Sequence, residues 1–414
     1  MRKSLFVFAA CAMSSAAAFA ADPVVSYVTL SQDPVNSNVI IEYSLTGADA
    51  VITVDILTND TSIGEQNFTH IVGDVNRLVE PDAENRKRIV WTCVRDIPNV
   101  KIDSGVTVHV NAWAADNPPN YFVMDLISGA RNYYVSTNAL PDGGLANDAY
   151  KTTKLVMRRI PADGESFTMG SPEGEWGRAS SDMVQHQVSF TNDFYMGIYE
   201  LTYKQYDCAF HGNQGTITPA NAKLPVKGMN YETVRGATST YNWPADGHSV
   251  RATGRVIGLL RSLTGYLVEI DLPTEAQWEY ACRAGSTTAW NNDVYRGMPN
   301  EYNREKELMW SSDFADGTTH EVGLLVPNAW GLYDMHGNVC ELCLDRWANG
   351  SEASDGSAVV DPPGPDSTQT YRVARGGSYD KSKSACRSAS RDAVQGSTAN
   401  ATEGFRVVCP AVAK

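Results

Sequence analysis

The sequence of 414 residues lacks the motifs that mark several common classes of enzyme. It has no G-x-S-x-G segment, no phosphate-binding loop and no dinucleotide fingerprint, so the enzyme classes that depend on them are not indicated. Its seven histidines are scattered without H-x-H or H-x-x-x-H spacing, which gives no support to an iron site. Acidic residues outnumber basic ones, and the net charge of −14 without a basic cluster argues against nucleic-acid binding.

Long apolar runs are also missing, except for a short one at the N-terminus. Arg2 and Lys3 precede this apolar core, and an A-x-A pattern ends at Ala20. The arrangement predicts a secretory signal peptide over residues 1–20, which is too short to span a bilayer. We therefore expect a mature chain that begins near Ala21, has no membrane span, and is exported to the periplasm or the extracellular space.

Cysteine is scarce, with eight residues in all and seven after the predicted cleavage point. So few cysteines in a chain of this length predict local disulfides at most, on a fold that depends on its core. The segment Cys340-Glu341-Leu342-Cys343 is a C-x-x-C, a spacing found in redox proteins. The alternative, which we favour, is two small buried side chains or a local disulfide. A four-cysteine zinc site would need a second close pair, which the sequence lacks.

The patterns that are present divide the chain into two parts. Residues 21–116 contain five or more runs rich in Val, Ile, Thr and aromatic residues, and several alternate apolar with polar residues as half-buried strands do. This predicts a small β-sandwich of the immunoglobulin or fibronectin type. The sequence DNPP at 116–119 ends it, because consecutive prolines cannot continue a central strand. Residues 117–150 are predicted to be a connecting segment.

Residues 151–414 are predicted to form a second, α+β domain. The segment 251–266 places Val and Leu at helical spacing, and 203–210 is predicted to be a short helix. Another helix is predicted to begin after Thr274, an N-cap residue that forms a capping box with Gln277. The rest of the domain shows few regular patterns, so we expect a fold with many loops.

Residues 327–347, PNAWGLYDMHGNVCELCLDRW, mix glycine and asparagine with large apolar side chains. Glycine and asparagine favour tight turns, whereas the aromatic side chains require burial. This combination predicts a loop held inside the core, whose backbone N–H and C=O groups need partners. A metal ion with oxygen ligands is one way to satisfy several carbonyls at once.

Five segments in this order resemble the formylglycine-generating enzyme family, also called the sulfatase-modifying factor family. They are FTMGS with FYMGIYELTYKQY (167–171 and 194–206), LPTEAQWEYACRAGSTT (272–288), the stretch 327–347, RVARGGSY (372–379), and CRSASR with GFRVV (386–391 and 404–408). The resemblance covers well over half of the chain. It implies a C-type-lectin-like domain with little regular secondary structure, often tied by calcium.

The resemblance implies a calcium site in the central stretch. The corresponding residues are Asp334 and Glu341, which would bind through their side chains, and Gly337 and Val339, which would bind through their carbonyls. Carboxylates and backbone carbonyls are the ligands that calcium prefers. The alternative is that the two carboxylates cap turns or pair with arginines.

The enzyme of this family is a copper-dependent oxidase that uses O₂ to convert a substrate cysteine into formylglycine, with Cu(I) held by two thiolates. The first of these cysteines lies two residues after the Gly-Gly-Ser-aromatic motif, and that position is Lys381 here. The second falls on Cys386, the one candidate catalytic residue. An ammonium group cannot replace a thiolate. The resemblance also implies a structural disulfide between Cys282 and Cys386, which would leave no copper pair.

Several arginines crowd the last motifs. In a lectin-like fold these segments approach the central loop, so we expect Ser378, Arg375 and Arg391 to line a groove for a peptide, protein or glycan ligand. The alternative is that the arginines pair with carboxylates of the domain, at Glu275, Asp334, Glu341 and Asp345.

Together these observations predict a non-oxidase member of the family that acts as a binding or scaffolding module. The alternative is a formylglycine-generating oxidase that binds copper through another set of thiols, drawn from Cys340, Cys343 and Cys386.

Overall fold

A computed structural model of the chain describes residues 21–82, 84, 86–99, 105–210, 217–236, 255–291, 305–348, 358–365 and 370–414. The predicted signal peptide lies outside these residues. Over the described part, no helix has both the length and the apolar character needed to cross a membrane.

The first domain is the predicted β-sandwich, and both of its sheets contribute to one core. Its elements are β1 (Val24–Gln32), β2 (Val39–Thr46), β3 (Ala50–Thr58), β4 (Thr61–Ser62), β5 (Ile71–Gly73), β6 (Leu78–Val79), β7 (Lys87–Trp91), the helix α1 (Cys93–Asp96) and β8 (Val106–Ala114). One sheet has the order β1-β2-β7-β5, and the other has β4-β3-β6 with β8 paired along β3. Alternate residues of β2, such as Ile41 and Tyr43, face the core together with Ile52 of β3 and Trp91 of β7. The period-two pattern therefore predicted this part correctly.

The second domain contains the other strands and helices. Its strands are β9 (Tyr121–Asp125), β10 (Arg131–Tyr134), β11 (Lys154–Ile160), β12 (Ser166–Met169), β13 (His186–Ser189), β14 (Phe194–Gly197), β15 (Cys340–Arg346), β16 (Val359–Val360), β17 (Tyr371–Arg375), β18 (Arg391–Gln395), β19 (Glu403–Gly404) and β20 (Val408–Pro410). Its helices are α2 (Ala149–Thr152), α3 (Tyr203–Ala209), α4 (Tyr231–Val234), α5 (Val256–Leu263) and α6 (Glu275–Arg283). The strands form sheets with the orders β10-β9-β11-β14-β20, β18-β17-β15-β19 and β12-β13-β16. The α+β class with short, dispersed elements is as predicted.

The segment 117–150 is more than the predicted connector. Its two strands, β9 and β10, pair with each other, and β9 also pairs antiparallel with β11. Phe122 and Tyr133 are buried in the core of the second domain. The second domain therefore begins structurally at about Tyr121, because its main sheet is incomplete without these strands.

The predicted capping box of α6 is confirmed. The Thr274 hydroxyl accepts a hydrogen bond from the Gln277 backbone N–H at 3.1 Å, and the Gln277 side chain accepts one from the Thr274 N–H at 3.0 Å. These bonds satisfy donors that have no partner within the first turn of a helix. They fix the start of α6, whose buried residues Trp278 and Glu279 belong to the centre of the domain.

Candidate functional site

The central stretch runs as a buried loop into β15, and protein groups satisfy its backbone. The N–H of Gly337 donates to Gly376 O at 2.8 Å, the N–H of Asn338 donates to Trp310 O at 2.9 Å, and that of Val339 donates to Glu200 Oε1 at 3.0 Å. Gly337 has a φ of 100°, and a Cβ there would lie 2.1 Å from Trp310 O. The position therefore requires glycine both for its conformation and for space.

An arginine neutralises Glu341, one of the predicted calcium ligands. The Arg406 Nε donates to Glu341 Oε2 and its terminal nitrogen donates to Oε1, each at 2.6 Å. Trp278 Nε1 also donates to Oε2 at 2.7 Å. All three side chains are buried, so this is a two-point ion pair inside the core. In this arrangement Glu341 is committed to Arg406 and does not fit a calcium ion.

Asp334 and Glu200 form a second acidic group beside this ion pair. Asp334 Oδ2 accepts the Gly323 N–H at 2.7 Å, whereas Oδ1 is buried with no hydrogen-bond partner among the described residues. Burial raises the pKa of Asp334 to about 6, and it raises that of Glu200 well above its usual range, with the charges of Asp334 and Glu341 adding to the shift. Asp334 alone of the four predicted ligands thus has a spare side-chain oxygen.

Within the described ranges, no group of three or more His, Cys, Asp or Glu side chains is placed to hold a metal ion. Calcium at Asp334, Gly337, Val339 and Glu341 therefore stays a prediction, to which Asp334 contributes a spare side-chain oxygen. Sequence reasoning missed Glu200, although this residue lies in the motif FYMGIYELTYKQY. The sequence does not show that Glu200, in the segment after β14, contacts the central loop, because the two are far apart along the chain.

The candidate catalytic cysteine, Cys386, lies in the interior of the second domain. Cys386 is fully buried, its Sγ lies 4.0 Å from Ser378 O, and burial raises its pKa to about 12. Lys381, at the position of the family's first catalytic cysteine, is exposed.

The predicted Cys282–Cys386 disulfide is absent, since both residues are free thiols in the structure. Cys282 Sγ lies 3.6 Å from the hydroxyl of Ser388, whereas Cys386 turns towards Ser378. The residue opposite Cys282 is therefore Ser388, two positions beyond the one predicted.

The C-x-x-C segment is divided between two cores. Cys340 belongs to the cluster that includes Leu342 and Phe405, whereas Cys343 belongs to the cluster that includes Trp278. Both residues lie in β15, where a separation of three positions places side chains on opposite faces. The favoured interpretation as two small buried side chains is correct, and a thiol set of Cys340, Cys343 and Cys386 does not converge.

The predicted arginine groove is also wrong, because its residues are buried. Arg391 donates to both oxygens of Glu275 at 2.7 Å, and Arg375 pairs with Glu279. Ser378 is fully buried and donates to Asp380 Oδ1 at 2.7 Å. The alternative interpretation, in which the arginines neutralise internal carboxylates, is the one that the structure supports. These ion pairs tie α6 to β17 and β18, so their role is to hold the loops in place.

The second domain is similar to proteins of a known family. A family profile described as "Sulfatase-modifying factor enzyme 1-like domain" matches residues 149–411. The formylglycine-generating enzyme of Thermomonospora curvata is 36% identical over 151 residues, which are 33% of this chain and 48% of that protein. The enzyme of Bos taurus is 26% identical over 323 residues, or 69% of this chain and 81% of that protein.

Among solved structures, PvdO from Pseudomonas aeruginosa is similar with a TM-score of 0.47 and 26% identity, over 62% of this chain and 94% of that one. The matched region spans about half the length of the Thermomonospora enzyme. With more than half of the chain covered by the family profile, the protein belongs to the sulfatase-modifying factor family.

Proposed function

We propose that this protein is a non-oxidase member of the sulfatase-modifying factor family that acts as a binding or scaffolding module. The observation that carries the proposal is the state of Cys386, a buried thiol with no second thiol at Lys381. Two convergent thiolates are needed to hold Cu(I), and a single neutral thiol does not provide them.

Calcium and export are further parts of this proposal. Asp334 is the residue that would hold a calcium ion, and calcium there would neutralise the Asp334 and Glu200 carboxylates. The predicted signal peptide supports a role in the periplasm or outside the cell. Neither feature is needed for the non-oxidase role.

An oxygen-uptake assay tests the proposal. The reduced, copper-loaded protein is incubated with a sulfatase peptide of the form Cys-x-Pro-x-Arg, and the Thermomonospora enzyme serves as a positive control. We expect no oxygen consumption and no formylglycine by mass spectrometry. Formylglycine production at a rate comparable to the control would refute the proposal.

The alternative, a formylglycine-generating oxidase, is favoured by the 36% identity to the Thermomonospora enzyme. It requires Cys386 to become exposed and to find a second thiol. The variant Lys381→Cys tests whether Lys381 alone blocks the copper position. If burial of Cys386 is what prevents catalysis, the variant stays inactive, whereas copper-dependent turnover in the variant would show that Lys381 alone blocks an intact oxidase site.

A further inference from the structure

A cavity lies away from Cys386 and Lys381, at another part of the second domain. Its volume is about 480 Å³, and it is formed by β12, the C-terminal end of α6 and the side chain of Trp330. This size lies within the range of small-ligand pockets in proteins. None of the residues predicted to bind copper, calcium or a peptide lines it.

One wall of the cavity is aromatic and preorganised. The ring of Tyr280 lies 5.1 Å from that of Phe167 and 4.9 Å from that of Trp330, measured between centroids. The hydroxyl of Tyr280 donates to Pro161 O at 2.7 Å, which fixes the central ring of the three. Rings held in this way present apolar surface at little cost in conformational entropy.

The polar part of the wall carries only two charged side chains among the described residues. It contains one carboxylate, Glu165, and one guanidinium, Arg283, which is already paired with Glu279 at 2.8 Å. The remaining polar side chains carry hydroxyl or amide groups, at Ser166, Thr168, Gln185, Ser286 and Thr287. An aromatic cage for a cation would combine rings with an excess of carboxylates, and an anion site would need an uncompensated basic group. Hydroxyl and amide groups instead suit a ligand that is neutral and both donates and accepts hydrogen bonds.

Ser286 gives a second, independent indication of a ligand. It lines the cavity, is 8% exposed, and its hydroxyl has no hydrogen-bond partner in the described part of the chain. A buried hydroxyl without a partner is unfavourable, so proteins rarely retain one without a reason. Rotation about χ1 moves a serine hydroxyl between staggered positions, which allows it to meet a group that enters the cavity.

We propose that this cavity is a binding subsite for a neutral saccharide. The apolar C–H face of a pyranose ring would pack on Trp330 and Tyr280, and its hydroxyl groups would bond to Ser286 and the neighbouring polar side chains. The proposal gives the binding module a ligand class and in that respect rests on the proposed function.

Saturation-transfer NMR on the whole chain, with cellotriose, chitotriose and maltotriose as probes, tests the proposal. We expect at least one of these sugars to bind, with Trp330→Ala lowering the affinity by about tenfold or more. Ser286→Ala should lower the affinity by about threefold or more without lowering the thermal midpoint, because its hydroxyl makes no bond in the free protein. The matched control is Tyr266→Ala, an exposed aromatic residue outside the cavity, which should bind as the native protein does.

Failure of all three sugars to bind the native protein would overturn the proposal, as would binding that survives Trp330→Ala. Binding of tetramethylammonium with no sugar binding would identify a cation site and also overturn it. Oxygen uptake on the sulfatase peptide, with sugar binding retained, would refute the non-oxidase role and leave the saccharide subsite intact. If the protein neither binds sugar nor consumes oxygen, the saccharide subsite is refuted and the non-oxidase role stands.

Discussion

At the scale of single residues, burial controls which side chains around the central stretch carry charge. Burial raises the pKa of the Cys282 and Cys386 thiols to about 12, so both are neutral at physiological pH. Glu341 is equally buried, but it faces the Arg406 guanidinium at 2.6 Å. Among the described residues Glu403 has no such partner: burial, with the nearby charge of Asp392 adding to it, raises its pKa to about 8.

The raised pKa of Glu403 predicts a pH-dependent stability. The folded state keeps a proton that the unfolded chain releases near about pH 4, so this contribution to stability is complete below that pH and is lost as the pH rises through about 8. Glu403→Gln replaces the carboxyl with a group that stays neutral. At pH 9 we expect the free energy of unfolding of the variant to be higher than that of the native protein by about 2–4 kcal/mol. Near pH 4 the two values should differ little.

Urea unfolding at the two pH values measures this difference. Glu269→Gln, which changes an exposed carboxylate, is the control and should leave the pH dependence unchanged. If Glu403→Gln shows the same pH dependence as the native protein, the carboxyl of Glu403 is not neutral in the fold.

At the scale of elements, α6 and β15 position the buried charges. Glu275 and Glu279 lie in α6 and meet Arg391 and Arg375 of the neighbouring strands, while Glu341 lies in β15. The start of α6 thus determines where its two carboxylates lie. Loss of one partner from such a pair is costly, because it leaves an uncompensated charge inside the protein.

The capping box of α6 gives a prediction at this scale. Thr274→Ala removes the hydroxyl that accepts the Gln277 N–H, and we expect the free energy of unfolding to fall by about 1 kcal/mol. Thr274→Ser keeps the hydroxyl, so its free energy of unfolding should fall by less than that of Thr274→Ala. Thermal and urea unfolding of the two variants provide the comparison, and equal losses would mean that the methyl group of Thr274 matters and its hydroxyl does not.

The sequence predicted elements whose signals are local. The alternation in β2 and the Thr274–Gln277 spacing of α6 need only neighbouring residues. It did not predict that β9 pairs with β11, because that contact depends on residues distant along the chain. The prediction of an arginine groove was wrong for the same reason. Nothing near Arg375 in the sequence indicates that Glu279 is its partner.

At the scale of the whole molecule, the sandwich and the second domain share buried surface. Strand β3 is buried on both faces: Ile52 points into the sandwich core, whereas Val51 packs with Phe122 and other residues of the second domain. The Tyr133 N–H also donates to Asn76 O of the sandwich at 2.7 Å. We therefore expect the two domains to unfold together.

Val51→Ala tests this coupling. The substitution opens a cavity at the shared surface, and we expect the free energy of unfolding to fall by about 2 kcal/mol within a single transition. Val24→Ala, at a position that is 53% exposed in β1, is the matched control and should stay within about 0.5 kcal/mol of the native protein. If calorimetry resolves two unfolding transitions, and Val51→Ala leaves the midpoint of one of them unchanged, the two domains unfold independently.

Under the proposed function, this member of the sulfatase-modifying factor family has the family's scaffold without its pair of copper-binding thiols. Competition titration of the reduced native protein with Cu(I), against a chelator of known affinity, measures this most directly. We predict no stoichiometric copper binding that depends on Cys386, so the native protein and Cys386→Ser should give the same curve. Tight binding of one Cu(I) per chain that disappears in Cys386→Ser would contradict the account.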